Sequence, residues 1–154
     1  MTLPVIAFPF LFSLYLSMMI KLSPRQVFLL DSAGALVTAF LTGVILTCFE
    51  TYFGMPSAVC YVLAAVAVIF AIYSFTCALR LEKKYAPFLK IIAISNGIYV
   101  LIATGFAVYH FSELTKLGVS YFVAETIVVA FVIALEWRVA NQFSAHKNQL
   151  SNFR

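Results

Sequence analysis

The chain has 154 residues, 64% of them hydrophobic and only 10% charged, with a mean hydropathy of +1.02. Soluble domains carry about 45–50% apolar and about 25% charged residues, so this composition excludes one and indicates an integral membrane protein. The net charge of +4 is modest and forms no basic stripe with interleaved aromatics, which speaks against nucleic acid as a partner.

The first apolar run, 3–20, is just long enough to span, with Pro9 placed to start or kink it. It lacks the basic start and small-residue cleavage site of a signal peptide and is expected to be retained; no lipid-anchor motif is expected at either end. A polar break follows, in which Ser23 suits an N-cap, Pro24 the first helical position and Gln26 the third position of a capping box. The next span therefore runs 24–50. Gly54 and Pro56 make a turn, and Pro56 opens a span over 57–80. The charged segment Arg80 to Ala86 leads to Pro87 and a span over 87–110, and a short polar connection leads to the last, 119–137.

The expected fold is an all-α integral membrane bundle of five transmembrane helices, or four if 3–20 does not span. Residues 1–137 form the bundle, and 138–154 a polar cytoplasmic tail that extends the last helix. Of the ten Lys and Arg, all but Lys116 fall on alternate connections or the tail. The positive-inside rule then puts the N-terminus outside and the C-terminus in the cytoplasm, and a bacterial inner membrane fits the size and charge pattern.

Small residues mark the helix contacts. Gly34, Ala35, Thr38, Ala39, Thr42 and Gly43 share a face of span 24–50, and Cys60, Ala64, Ala67, Ala71, Ser74 and Ala78 recur every three or four residues along span 57–80. These two antiparallel helices are predicted to pack closely.

Asp31 shares the small face of its helix, about two turns inside the span. A carboxylate in hydrocarbon is costly, which makes Asp31 either a binding group or proton carrier or a member of a buried polar network that fixes the helix positions. Ser74 and Asn96 lie at similar depth, about 10 Å from the cytoplasmic face, and are expected to meet it. Glu125 is a second carboxylate inside the apolar zone, either contacting a ligand or satisfied by a Tyr hydroxyl or His ring. Glu136, eleven residues later, returns to the same helix face about 16 Å away, but beside Trp137 and Arg138 it reads as an interfacial residue. At the outer end Glu50 and His110 are candidates for a polar cluster, and Cys48 and Cys60 flank the turn at depths that would permit a disulfide. With only two His, predicted on opposite sides, no transition-metal spacing exists, and no cofactor or nucleophile motif is present.

Two functions compete. A binding or transport module would enclose a lipid-like or other lipophilic small molecule, with Asp31, Asn96 and Glu125 as orienting groups; transport by so few helices implies at least a dimer. A structural or assembly subunit would use its small-residue seams to hold a second copy or another membrane protein. An enzyme acting on lipid would need a nucleophile or metal set that the sequence does not offer. The partners that the sequence suggests are membrane lipids, such a ligand and, in the second reading, another copy of the chain or another membrane protein; it assigns no cofactor.

Overall fold

The computed structural model describes residues 22–81 and 85–152, with side chains through Ser144. The segment 3–20, expected to be the first span, lies outside the described residues. The described elements are α1 (Pro24–Phe40), which continues as a π-helical stretch (Leu41–Leu46), the single turn α2 (Glu50–Phe53), α3 (Ser57–Arg80), α4 (Tyr85–Tyr109) and α5 (Lys116–Asn152). Among the described residues four helices are long and apolar enough to cross a membrane: Pro24–Leu46, Ser57–Arg80, Tyr85–Tyr109 and Lys116–Ser144. The chain is an all-α, multi-pass membrane bundle.

The capping box at the start of α1 is formed as its residue types require. Gln26 N–H donates to Ser23 Oγ at 3.3 Å, and Ser23 N–H donates to Gln26 Oε1 at 2.8 Å, with Pro24 in the first turn. Pro56 caps α3, whereas Pro87 sits in the third position of α4, where its missing N–H would have had no helical partner. The last helix keeps a packed face beyond the span drawn for it. It starts at Lys116 and runs unbroken past residue 137 to Asn152, and Val139 and Ala140 are still buried.

Packing follows the small-residue seams. α1 lies most extensively against α3, and α4 against α5, with lighter contact between the two pairs. Cys60, Ala67, Ala71, Ser74 and Ala78 of α3 are all buried, and a Cβ added at Gly43 would come within 2.8 Å of Ala64 Cβ. Gly43 therefore sets how near the backbones come. Ser32, buried on α1, adds a hydrogen bond from its Oγ to the Ala71 carbonyl at 3.0 Å.

The end of the bundle away from Ser23 is locked by its turns. Gly54 has φ 77° and ends α2, and a Cβ there would fall 2.0 Å from the Glu113 carbonyl oxygen. Thr115 completes the docking, donating its N–H to the Phe53 carbonyl at 3.1 Å and its hydroxyl to the Tyr52 carbonyl at 2.5 Å. Two apolar clusters result. One, around Phe28, Leu89, Ile92 and Val139, fills the end near Ser23, hereafter the basic end; the other, around Leu46, Leu63, Ala103 and Phe122, fills the turn end. The polar side chains of the interior lie between them.

Candidate functional site

Four helices each send one polar side chain into the same buried layer. Asp31 comes from α1, Ser74 from α3, Asn96 from α4 and Glu136 from α5, and none is more than 6% exposed. Ser74 Oγ donates to Asp31 Oδ2 at 2.5 Å. Asn96 Nδ2 donates to Asp31 Oδ1 at 2.8 Å and lies 3.3 Å from both Glu136 oxygens. An amide nitrogen carries two hydrogens, so one is directed to each carboxyl. Both carboxyls thus converge on one buried amide. Two acids that share a single buried donor form a coupled pair.

Asp31, Ser74 and Asn96 are thus brought together as their depths in the sequence suggested. Glu136 is the residue that the sequence reading misplaced. It is fully buried rather than interfacial, because α5 continues well beyond Trp137 and keeps its Glu136, Val139 and Ala140 face against the bundle. Its signal was present as the spacing of eleven from Glu125, continued by Val139 and Ala140 on the same face.

Beside this layer, on the turn-end side, is a cleft of about 50 Å³ that touches both Asp31 and Asn96. Its walls include Phe70 of α3, Tyr99 of α4 and Val128 and Val132 of α5, while Gly34 and Ala35 leave room on α1. A Cβ at Gly34 would meet nothing within 4 Å. Phe70 and Tyr99 stand edge to face with centroids 6.4 Å apart. Neither aromatic wall was singled out from sequence, since Phe and Tyr are ordinary on a membrane helix.

Tyr99 links the cleft to the second intramembrane carboxylate. Its hydroxyl donates to Glu125 Oε1 at 3.0 Å, so the Tyr partner expected for Glu125 is present. Close by, fully buried Thr42 shares a hydrogen bond of 3.0 Å with Tyr121. Thr42 lies in the π-helical stretch, where the chain departs from α geometry as it meets α5. Glu125 therefore belongs to a separate array, nearer the turn end, that borders the cleft through Tyr99.

The remaining candidates do not join this site. His110 Nδ1 lies 3.1 Å from Glu113 Oε2, an (i, i+3) pair at the end of α4, whereas Glu50 accepts from Ser57 Oγ. Glu50 and His110, candidates for one outer cluster, instead make these two local contacts. The disulfide that the depths of Cys48 and Cys60 would permit is likewise not formed. Cys60 is buried in the α1–α3 seam and Cys48 is exposed, and both are free thiols. Among the described residues no group of three or more His, Cys, Asp or Glu side chains is placed to hold a metal ion. Comparison with known proteins adds no relative: no family model, no curated protein and no solved structure matches this chain.

Proposed function

We propose that the protein is a membrane binding or transport module for a lipophilic small molecule, whose polar group is oriented by Asp31 and Asn96. The observation that supports this reading is the cleft itself: apolar and aromatic walls with two convergent polar side chains at one edge. A cleft of about 50 Å³ suits a small head or a single chain, with the rest of the molecule in the surrounding lipid. Its lining residues all belong to the four membrane-spanning helices. The alternative, a structural or assembly subunit, draws its support from the other side of the same residues, because both Asp31 oxygens already accept hydrogen bonds.

The two readings separate on one experiment. Native mass spectrometry of the protein extracted in mild detergent reports the oligomer and any retained small molecule together. Gly34→Phe would fill the cleft from a position with open space around it. Wild-type protein is expected to carry a lipophilic adduct that the variant loses while keeping its oligomeric state. Equal adducts in both, or none in either, would leave the structural reading.

The basic residues near Ser23, Arg80 and Arg138 support an orientation with that end in the cytoplasm and the N-terminus outside, in a bacterial inner membrane. Cysteine labelling from each side of intact cells, using single cysteines at Ser112 and Ser144, tests it: Ser112→Cys should react from outside and Ser144→Cys only after permeabilisation.

A further inference from the structure

Resting on that reading of the cleft, we propose that its ligand is a lipophilic cation, and that the cation exchanges with a proton held between Asp31 and Glu136. The cleft supplies two features that a neutral lipophile does not require. Its polar edge is made by a side chain that belongs to a carboxyl pair, and its wall includes the aromatic rings of Phe70 and Tyr99. Aromatic faces attract an organic cation, and a carboxylate in a low-dielectric zone attracts it far more strongly than in water.

Among the described residues no cation is placed to compensate the charge of the pair. From α1 it is faced by nothing titratable besides Asp31 itself, and from α3 by the Ser74 hydroxyl, with the Cys77 thiol one turn on. α4 provides the Asn96 amide and the Tyr99 hydroxyl, and α5 provides Glu136, with Glu125 farther along the same face. Lys90 of α4 is turned to Trp137, its Nζ 5.7 Å from the ring centroid, and Arg25 and Arg138 are exposed. Among the described residues no salt bridge reaches Asp31 or Glu136.

Charge is conserved in the exchange. Before it, one carboxyl carries the proton, the other is ionised, and the pair has one net negative charge. As the cation seats, the O–H bond of the protonated carboxyl breaks and its proton passes to water. Two carboxylates and one monovalent cation then leave the same net charge. The low-dielectric layer thus never holds two uncompensated charges, which is the condition that makes such a pair affordable inside a membrane.

The test uses the full chain in lipid nanodiscs, with dodecyltrimethylammonium as the cation and dodecyldimethylamine oxide as a near-isosteric probe without net charge. Binding is read by isothermal titration calorimetry, and proton release by a pH indicator in weak buffer. The cation is expected to bind at least about tenfold more tightly than the amine oxide and to release about one proton as it does so. Asp31→Asn and Glu136→Gln should each abolish that release, with folding checked by the thermal unfolding profile. Because release is measured on the wild-type protein, the outcome does not depend on a variant that folds poorly. If the two probes bind equally and no proton appears, the cation inference is overturned while the lipophile-binding reading stands. If neither binds, both fall.

Discussion

The molecule contains two intramembrane carboxyl sites built on opposite principles. At the Asp31 site two carboxyls from different helices converge on one amide, and four helices meet there. At the Glu125 site one carboxyl takes one phenol, and the neighbouring Thr42–Tyr121 bond completes the layer without a second acid. The first arrangement brings two acids onto a single donor, whereas the second gives its acid a phenol of its own. Burial alone therefore does not separate the two sites. What distinguishes Asp31 is a second acid on the same amide, together with a cleft at its side.

The difference predicts where the bundle is most fragile. Asn96→Ala removes the donor shared by both carboxyls and leaves the two buried acids, among the described residues, with the Ser74 hydroxyl on Asp31 as their remaining donor. Breaking a buried charged network by removing one partner costs about 2–4 kcal/mol, and this substitution should show the largest loss of any single change in the polar layer. Unfolding in mixed micelles by increasing SDS measures it; a loss below about 1 kcal/mol would mean that Asn96 does not hold the two acids together.

A double-substitution cycle then asks whether the acids act as a unit. Asp31→Asn and Glu136→Gln each abolish the same carboxyl-to-carboxyl interaction, so the double variant should cost about 1–2 kcal/mol less than the two single effects combined. Additivity to within about 0.5 kcal/mol would show them to be independent. The parallel cycle pairing Asp31→Asn with Glu125→Gln should be additive, because the two carboxyls share no hydrogen-bond partner.

How much of this was legible in the sequence depends on the range of the contacts involved. The four spans among the described residues could be read because apolar length and the capping pattern at Ser23 and Gln26 are local. The meeting of Asp31, Ser74 and Asn96 followed from counting residues inward from helix ends, since helical rise converts sequence distance into depth. Glu136 escaped because hydropathy alone drew the last span's end at Trp137, although the helix and its buried face continue through Val139 and Ala140. The π-helical stretch was not readable, as it meets α5 through the Thr42–Tyr121 bond, formed across 79 residues of sequence. The cleft was unreadable for a related reason: it is the space that Gly34, Ala35 and Ala67 leave between larger residues on other helices.

The Glu125 site should respond more mildly than the Asp31 site. Tyr99→Phe removes the hydrogen bond that Glu125 accepts from the phenol and leaves the ring and its contact with Phe70 in place. The cost should be about 1–2 kcal/mol, the value of a single hydrogen bond involving an ionisable group. A loss as large as that from Asn96→Ala would erase the contrast between the two sites and make Glu125 an equal partner in the interior.

The smallest expected effect comes from a polar contact that belongs to neither site. Ser32 adjoins Asp31 in sequence and is just as buried, yet its hydroxyl donates to the Ala71 carbonyl and to no carboxyl in the layer. That carbonyl lies within α3 and has its own helical role, so the bond supplements a packed seam. Interhelical hydrogen bonds of this kind average about 0.6 kcal/mol in membrane proteins. Ser32→Ala should therefore lower stability by about 0.5–1 kcal/mol and leave both the retained adduct and any proton release unchanged. If it altered ligand retention as strongly as Asp31→Asn, the α1–α3 seam itself would be part of the binding site, and the boundary drawn between the packed seam and the cleft would have to be moved.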